Sequence, residues 1–395
     1  MQPLFVTAYT ATTAVGAGCA ALRDALLTRR SGLAANDFPH ARVAGFIGRV
    51  AGVETAALPA RFAEFDCRNH RLAWIALQQD GFLDAAAAVR ARHGASRVAA
   101  IVGTSTSGVL TTELGYRHRD PATGALPPCV RYATTHNFAA LAGFMRAALG
   151  LAGPTVAIST ACSSSAKVFA TAQRWITAGV CDAALVAGVD SLCGTTLYGF
   201  DSLQLVSRAP CRPFDAARDG LSLGEGAGFA LLERAAAGTR RLALAGYGES
   251  ADAHHMSAPH PEGLGARLAM GAALERSGLP AAAIGYVCAH GTATRNNDAV
   301  EARAIAAVVG GRTPVMSVKG AIGHTLGAAG MASAVAALAS IEHGFVPGTV
   351  NTSEVDPECG NSVQLETVER RVDAVLVNAL GFGGNNASLV FANLG

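Results

Sequence analysis

Short apolar runs alternate with longer, alanine-rich stretches along this chain. Residues 98–102 and 183–189 are nearly uninterrupted apolar runs, which predict strands buried inside a sheet. Residues 138–149 and 163–177 predict helices, and Gly179 predicts the end of the second of these. Strands that alternate with helices in this way indicate an α/β architecture.

The strand-like runs also form a weak internal repeat. Two pairs of runs correspond in order and spacing: residues 4–9 with 241–247, and residues 183–190 with 374–381. Each half of the chain would then open and close on a similar strand, which predicts a duplicated fold. The composition turns to Ala, Gly and Arg near residues 235–240 without a long linker. We therefore predict two domains, 1–238 and 239–395, that share one core.

Composition narrows the classes of function. The chain has 395 residues, half of them hydrophobic and 15% charged, with a formal net charge of +2. This balance predicts binding to neither nucleic acid nor an anionic membrane surface. The nine cysteines form no C-x-x-C pair, so neither a zinc site nor a disulfide framework is indicated. A reducing cytoplasm fits this cysteine usage best.

The longest low-charge segment, residues 327–341, is shorter than the ~20 residues that span a bilayer. It predicts a helix buried inside a large protein. The N-terminus lacks the basic head and apolar run of a signal peptide. We therefore expect a soluble, cytoplasmic protein without a membrane partner.

Cys162 lies between the strand-like run 155–158 and the start of a predicted helix. This stretch alone leaves two interpretations open. Free cysteine is commonly a small buried hydrophobe. A thiol at a helix N-terminus, in contrast, is favoured as a thiolate by the helix dipole and by unpaired backbone N–H groups.

Further polar and aromatic groups follow strand-like runs in the second half. His290 comes directly after one run, Lys319 and His324 lie in a glycine-rich loop, and Phe382 lies in another. Because the C-terminal ends of strands converge on one crevice, we expect the two histidines and the lysine to meet Cys162. Singly, each His could be structural and Lys319 a surface charge. Three other histidines do not follow a strand-like run or lie in a glycine-rich loop, and they are interpreted as loop residues, not metal ligands: His254, His255 and His260.

A cysteine, two histidines and a lysine suit a particular chemistry. A thiolate can accept an acyl group from a thioester. Two neutral imidazoles can then stabilise an enolate on a second thioester, while loop amides hold an oxyanion. This set predicts carbon–carbon bond formation by decarboxylative condensation. A cysteine protease would need one His and an orienting amide or carboxylate.

The motifs together resemble the β-ketoacyl-acyl carrier protein synthases, which are elongating ketosynthases of the thiolase superfamily. The resemblance covers nearly the whole chain. Its motifs are TACSSS at 160–165, RPFDAARDG at 212–220, GEGAG at 224–228, AHGTAT at 289–294, Lys319 followed by GHTLGAAG at 323–330, and GFGG at 381–384. Several such motifs in order are far more specific than any one of them.

The resemblance implies roles for individual residues. Cys162 matches the acylated nucleophile, and His290 and His324 match the pair that binds malonyl thioester, promotes decarboxylation and stabilises the enolate. Lys319 matches the lysine that supports this pair, and Glu301 matches a carboxylate behind it. We expect the Cys162 thiolate to depend more on the helix terminus than on a histidine base.

Other positions are implied around the reacting groups. Thr292 and Thr294 match residues that contact the phosphopantetheine arm, and Phe382 matches a gating aromatic. The backbone N–H groups of Cys162 and Phe382 would form the oxyanion hole. Two residues match the acyl-chain pocket, with ordinary loop packing as the alternative interpretation: Thr106 and Phe200.

The resemblance also implies a fold and partners. The fold would be α/β and thiolase-like, with duplicated βαβαβαββ halves in five layers (αβαβα). The partners would be an acyl carrier protein, for which Arg61, Arg68 and Arg71 are candidate contacts, and a second subunit in a homodimer or heterodimer. No cofactor or metal is expected, since the substrates are carried on phosphopantetheine. The loop before Arg212 and the residues after Cys162 resemble secondary-pathway members, such as those of aryl polyene clusters.

The predicted function is therefore a β-ketoacyl synthase, an acyltransferase that extends an acyl chain by two carbons in fatty-acid or polyketide-type biosynthesis. Initiating synthases would be expected to show a His/Asn pair, and thiolases a second catalytic cysteine. Two alternatives remain: a non-catalytic partner that shapes chain length in a heterodimer, and a condensing enzyme that uses acyl-coenzyme A.

Overall fold

The computed structural model describes residues 1–235, 241–360 and 362–395, so the predicted boundary between residues 238 and 239 lies outside the described residues. The strands are β1 Leu4–Thr13, β2 Gly16–Ala17, β3 Ala34–Ala35, β4 Phe46–Gly48, β5 Val98–Gly103, β6 Thr155–Ile158, β7 Ala183–Asp190, β8 Leu223–Gly224, β9 Gly226–Glu233, β10 Leu242–Ala251, β11 Tyr286–Cys288, β12 Val315–Met316, β13 Phe345–Val346, β14 Val368–Glu369, β15 Ala374–Gly381 and β16 Asn385–Asn393. The α-helices are α1 Gly18–Leu27, α2 Arg68–Leu77, α3 Phe82–His93, α4 Val109–Arg117, α5 Ala139–Leu149, α6 Ser164–Thr177, α7 Gly194–Ser202, α8 Leu264–Ser277, α9 Arg295–Val309, α10 Lys319–Ile322 and α11 Ala329–His343.

The main sheet repeats one strand pattern twice. Its first half runs β6-β5-β7-β9-β1 and its second half runs β12-β11-β15-β16-β10. In each half the first three strands are parallel and the last two are antiparallel additions. Strands β1 and β10 join the halves, with Leu4 opposite Leu244. The predicted duplication is confirmed.

The helices form layers on both sides of these two half-sheets. Helices α6 and α11 contact each other and also contact strands of both halves, so they form the central layer. Helices α2, α3 and α5 cover the outer face of the first half, and α8, with α9 against it, covers the second. The order helix–sheet–helix–sheet–helix is the five-layer thiolase-like arrangement that we predicted.

Small residues allow the central helices to pack closely. A Cβ atom added at Gly330 of α11 would lie 2.6 Å from the backbone nitrogen of Ala166 in α6, which is closer than real Cβ atoms approach. The helices can therefore touch at this point only because position 330 has no side chain.

One helical stretch, Leu326–His343, is long and apolar enough to cross a membrane by composition alone. In the described structure 89% of this stretch is buried inside the protein, against α6 and both half-sheets. It is therefore the core helix that the sequence predicted. Helix α6 also matches its prediction, since it ends at Thr177 and Gly179 follows in a left-handed conformation.

Candidate active site

Cys162 lies in a tight turn between β6 and α6. The preceding residue, Ala161, has a φ of 53°, a left-handed conformation that costs about 1–2 kcal/mol for a residue with a Cβ. Hydroxyl groups after the cysteine hold this turn: Ser163 Oγ donates to the Thr160 carbonyl (2.9 Å) and Ser164 Oγ to the Ala161 carbonyl (2.6 Å). The serines therefore fix the backbone that presents the thiol.

The four predicted catalytic side chains meet in one buried cluster. His324 Nε2 lies 3.0 Å from Cys162 Sγ. The His290 ring stands edge-on to His324, with centroids 5.2 Å apart and an interplanar angle of 86°. Lys319 Nζ donates to the His290 carbonyl oxygen and lies 3.4 Å from His290 Nδ1. The four side chains therefore lie together, as expected from the sequence.

Strand ends position this cluster. His290 lies two residues after β11 and Lys319 begins α10 just after β12, so both are at the C-terminal edge of parallel strands. His324 is held by its backbone: its N–H donates to Ser222 O (2.7 Å) and its carbonyl accepts from Gly224 N (2.9 Å). The backbone that carries each imidazole is therefore held in place before any substrate binds.

Glu301 supports His290 through the backbone. Its two carboxylate oxygens accept from His290 N (2.7 Å) and Gly291 N (2.8 Å). Asn378 Nδ2 donates to the same carboxylate at 3.1 Å. Sequence reasoning missed Asn378, which lies just before the Phe382 loop in β15 and has no motif signal of its own.

Burial dominates the protonation of the thiol. Removal from water raises the pKa of Cys162 to about 11, although the Lys319 charge and the N–H groups of Phe382 and Cys162 itself lower it. The resting thiol is therefore neutral at physiological pH. Our expectation that the thiolate depends more on the helix terminus than on a histidine base stays a prediction, and the burial that raises the thiol pKa opposes it.

The two imidazoles are neutral. Burial first, and then the Lys319 charge, lower the pKa of both His290 and His324 well below the ordinary value. Burial also lowers the pKa of Lys319, and the Glu301 charge opposes that effect most strongly. A neutral imidazole offers one N–H donor and one lone pair, which suits both proton transfer and enolate stabilisation.

A cavity of about 300 Å³ leads to the cluster. Several predicted residues line it: Cys162, His290, His324, Thr292, Thr294, Phe200 and Phe382. The Phe200 ring lies 5.6 Å from the Phe382 ring and 6.5 Å from the His324 ring, centroid to centroid. The hydroxyl oxygens of Thr292 and Thr294 are 2.8 Å apart. The aromatic pair therefore stands beside the thiol, and the threonine pair stands along the cavity.

Thr106 has a different environment. It is buried, its Oγ1 lies 2.8 Å from Asp190 Oδ1, and it is absent from the lining of this cavity. Asp190, which sequence reasoning missed, also accepts hydrogen bonds from Thr104, Ser105 and the Gly327 N–H. The carboxylate thus ties the Thr106 loop to the turn that follows His324, and the acyl-pocket role of Thr106 stays a prediction.

One of the three arginines predicted to contact a carrier protein requires a correction. Arg68 is not a free surface cation: its side chain is 8% exposed and pairs through two nitrogens with the buried carboxylate of Glu225, at 2.6 and 2.9 Å. Arg71 pairs with Asp66 at 2.6 Å but is more exposed. The internal ion pair of Arg68 thus excludes it as a carrier-protein contact.

A thiol beside two neutral imidazoles and a buried lysine, at the strand ends of a duplicated five-layer fold, defines a thiolase-like condensing acyltransferase. Residues 1–237 match the family model described as "Beta-ketoacyl synthase, N-terminal domain", and residues 242–353 match "Beta-ketoacyl synthase, C-terminal domain". The chain belongs to the β-ketoacyl synthase family.

Individual relatives agree with this assignment. The chain is 33% identical over 403 residues to 3-oxoacyl-(acyl-carrier-protein) synthase 2 of Vibrio cholerae, covering 94% of each protein. It is 40% identical over 265 residues to the mitochondrial 3-oxoacyl-(acyl-carrier-protein) synthase of Arabidopsis thaliana, covering 62% of this chain and 58% of that protein. Among solved structures, the ketosynthase ApeO in complex with its chain length factor ApeC, from Xenorhabdus doucetiae, matches with a TM-score of 0.88 and 34% identity over 99% of this chain and 98% of that one.

Proposed function

We propose that this chain carries out the elongating condensation of its family with Cys162 as the acyl carrier and His290, His324 and Lys319 as the groups that drive decarboxylation. The observation that carries the proposal is the 3.0 Å contact between Cys162 Sγ and His324 Nε2, with His290 and Lys319 directly behind it. Cys162, His290 and His324 line the cavity through which a thioester would enter.

In the first half-reaction the thiol must lose its proton as it attacks. His324 Nε2 is the nearest base, so it takes the Sγ proton and passes it to the leaving pantetheine thiol. The Cys162 S–C bond forms as the carrier thioester bond breaks. The oxyanion formed at the acyl carbonyl accepts from the N–H groups of Phe382 and Cys162, both of which lower the pKa of the Cys162 thiol.

In the second half-reaction malonyl thioester loses carbon dioxide, and the electron pair of the broken C–C bond forms an enolate. Because Lys319 donates toward Nδ1 of His290, the proton of this neutral ring lies on Nε2 and is available to the enolate oxygen. While Nε2 of His324 accepts from Cys162 the ring proton lies on Nδ1, so His324 supplies the second donor after proton exchange with solvent in the cavity has placed a proton on Nε2. The enolate carbon attacks the acyl-Cys162 carbonyl, the thiolate leaves, and a β-ketoacyl chain two carbons longer remains on the carrier.

The substrates are held by the rest of the cavity. Thr292 and Thr294 present paired hydroxyl groups to a pantetheine arm, and Phe382 with Phe200 forms an aromatic wall beside the sulfur. The acyl-pocket assignments of Phe200 and Thr106 belong to this proposal, as does the absence of a cofactor beyond carrier-bound pantetheine.

The partners are proposed from the names of the relatives. The Vibrio cholerae and Arabidopsis thaliana relatives are named as 3-oxoacyl-(acyl-carrier-protein) synthases, and the Xenorhabdus ketosynthase is in complex with a chain length factor. These names support an acyl carrier protein as substrate carrier and a dimer with either a second copy or a chain-length-factor-like subunit. The cytoplasmic location in this proposal rests on the cysteine usage of the sequence. A secondary pathway of the aryl polyene type stays part of this proposal because of the loop before Arg212 and the residues after Cys162.

The experiment is a two-step mass measurement. The purified protein is first incubated with a panel of acyl carrier protein thioesters, and then with malonyl carrier protein, and both proteins are read by intact mass spectrometry. An adduct on Cys162 that converts to a carrier product two carbons longer supports the proposal. Cys162→Ala should abolish both steps while retaining the fold, and elongation by this variant would reject the nucleophile assignment.

Two alternatives have distinct outcomes in the same experiment. A non-catalytic chain-length-shaping subunit would form no adduct with any donor and would restore elongation only when mixed with an active partner. A coenzyme A-dependent enzyme would elongate equally well from acyl-coenzyme A without the carrier.

A further inference from the structure

The catalytic cluster has the ligand set of a zinc site. One ring nitrogen of His290, one of His324 and the Sγ atom of Cys162 all lie within 4.8 Å of one another. Within residues 1–235, 241–360 and 362–395, this is the one group of His, Cys, Asp and Glu side chains that meets such a criterion. Tetrahedral Zn²⁺ would require sulfur–nitrogen separations of about 3.6 Å and nitrogen–nitrogen separations of about 3.3 Å, so shifts of about 1 Å would suffice.

The surroundings favour a metal in some respects. Cys162, His290 and His324 all line the cavity, so a solvent molecule could complete the coordination of a bound ion. A thiol buried beside two imidazoles would be a serious liability in a cell that contains zinc, because a bound ion would block acylation.

Lys319 opposes the metal in two ways. Its ammonium group lies 3.4 Å from His290 Nδ1, so a divalent cation on the same ring would experience direct repulsion in a buried environment. An ammonium group can only donate a hydrogen bond, so Nδ1 accepts and the ring proton lies on Nε2. The remaining nitrogen of His290 therefore presents a proton to an incoming metal rather than a lone pair.

We propose that Cys162, His290 and His324 form a latent site for a soft divalent cation such as Zn²⁺, and that Lys319 keeps this site closed. Binding would release the Cys162 proton to solvent. It would also move the His290 proton from Nε2 to Nδ1, where the N–H group would be repelled by the Lys319 ammonium group. Lys319 thereby has a protective role in addition to its support of the enolate chemistry, and this role can be measured without turnover.

The test compares metal affinity among Lys319 variants of the full chain. Zn²⁺ binding is measured by titration calorimetry, and Co²⁺ is used in parallel because its thiolate charge-transfer absorption reports coordination by sulfur. Lys319→Met should bind Zn²⁺ at least about 100-fold more tightly than wild type, because it lacks the opposing charge and the donor on Nδ1. Lys319→Arg, which keeps a charged donor, should stay within about 5-fold of wild type.

The control variants locate the ion. Tight binding in Lys319→Met should be lost when Cys162→Ala or His324→Ala is added, together with the cobalt–thiolate band. It should persist when the loop histidines are removed by His254→Ala, His255→Ala and His260→Ala, of which His254 and His260 have ring centroids 5.3 Å apart. If Lys319→Met does not fold, as judged by circular dichroism, Lys319→Gln replaces it.

Two results would overturn the proposal. The first is equal zinc affinity in wild type and in the folded uncharged variant, which would mean that Lys319 does not control the site. The second is tight binding that survives loss of Cys162, which would place the ion elsewhere. Neither result depends on whether the protein elongates a given acyl chain, so failure here is separable from failure of the condensing function.

Discussion

His324→Ala tests how Cys162 becomes reactive. In the folded protein burial raises the thiol pKa to about 11, and His324 Nε2 is 3.0 Å from the sulfur. The His290 ring lies edge-on to the His324 ring, and its Nδ1 atom lies beside Lys319. The two histidines should therefore affect the two half-reactions unequally.

The size of the effect follows from the thiol pKa. With a pKa of about 11, roughly one thiol in 3,000 is ionised at pH 7.5. A positioned base commonly contributes about 10²–10⁴ in rate. His324→Ala should therefore slow acylation of Cys162 by about that factor at pH 7.5. The rate should then recover about tenfold per pH unit, as the thiolate form of a group with a raised pKa accumulates with rising pH.

The assay is rapid-quench acylation from an acyl carrier protein, read by intact mass between pH 6.5 and 9.5, with iodoacetamide alkylation as a thioester-independent probe. His290→Ala serves as the matched control. It should acylate within about 3-fold of wild type but lose about 10²–10³ in malonyl decarboxylation, since it removes one enolate donor.

One result would refute this reasoning. If His324→Ala acylates at the wild-type rate at pH 7.5 and shows no steeper pH dependence, the thiol does not need the imidazole. Either its pKa is far below the value that burial implies, or another group accepts its proton. Equal loss of acylation in the two histidine variants would likewise contradict the division of roles.

Three other changes have definite expected outcomes. Glu301→Gln removes the charge that raises the pKa of Lys319, so the lysine loses its proton at lower pH. The alkaline limb of carbon dioxide release from malonyl carrier protein should therefore move to lower pH. Gly330→Ala should lower the free energy of unfolding by about 1–3 kcal/mol, because its Cβ collides with α6, whereas Gly271→Ala has open space and should raise it by up to about 1 kcal/mol in thermal or denaturant unfolding. Arg68→Ala strands a buried carboxylate and should cost about 3–5 kcal/mol, seen as a lower Tm without any carrier protein.

Each of these has an outcome that contradicts it. An unchanged alkaline limb in Glu301→Gln would mean that Lys319 does not titrate in that range. Similar stabilities for the two alanine-for-glycine variants would mean that the central helices can separate without cost. A wild-type Tm for Arg68→Ala, together with weaker carrier binding, would restore Arg68 as a docking residue.

Much of the fold was predictable from local patterns. The apolar runs at β5 and β7 are buried along their whole length, so their hydrophobicity alone indicated central strands. The weak sequence similarity between β7 and β15 reflects their equivalent positions in the two half-sheets. A buried strand must be apolar wherever it lies, which is why local composition identified both copies.

The sequence predicted which residues form the candidate site better than it predicted their contacts and protonation. Cys162 and His324 are 162 residues apart, and only strand ends and motif resemblance suggested their meeting. Asn378 was missed because an asparagine in an apolar strand has no signal until its partner, Glu301, is placed beside it. Arg68 looked like a surface cation because the sequence does not show that Glu225 lies opposite it.

The sequence by itself determined the alternation of strands and helices, the duplication, the family and the identity of the reacting groups, since these depend on composition and order. Tertiary structure decided the protonation of Cys162, the neutral state of its two imidazoles and the pairing of Thr106 with Asp190. Those properties depend on how completely water is excluded and on which charge stands within a few ångströms. Distant parts of the chain supply both, so no local stretch of sequence contains them.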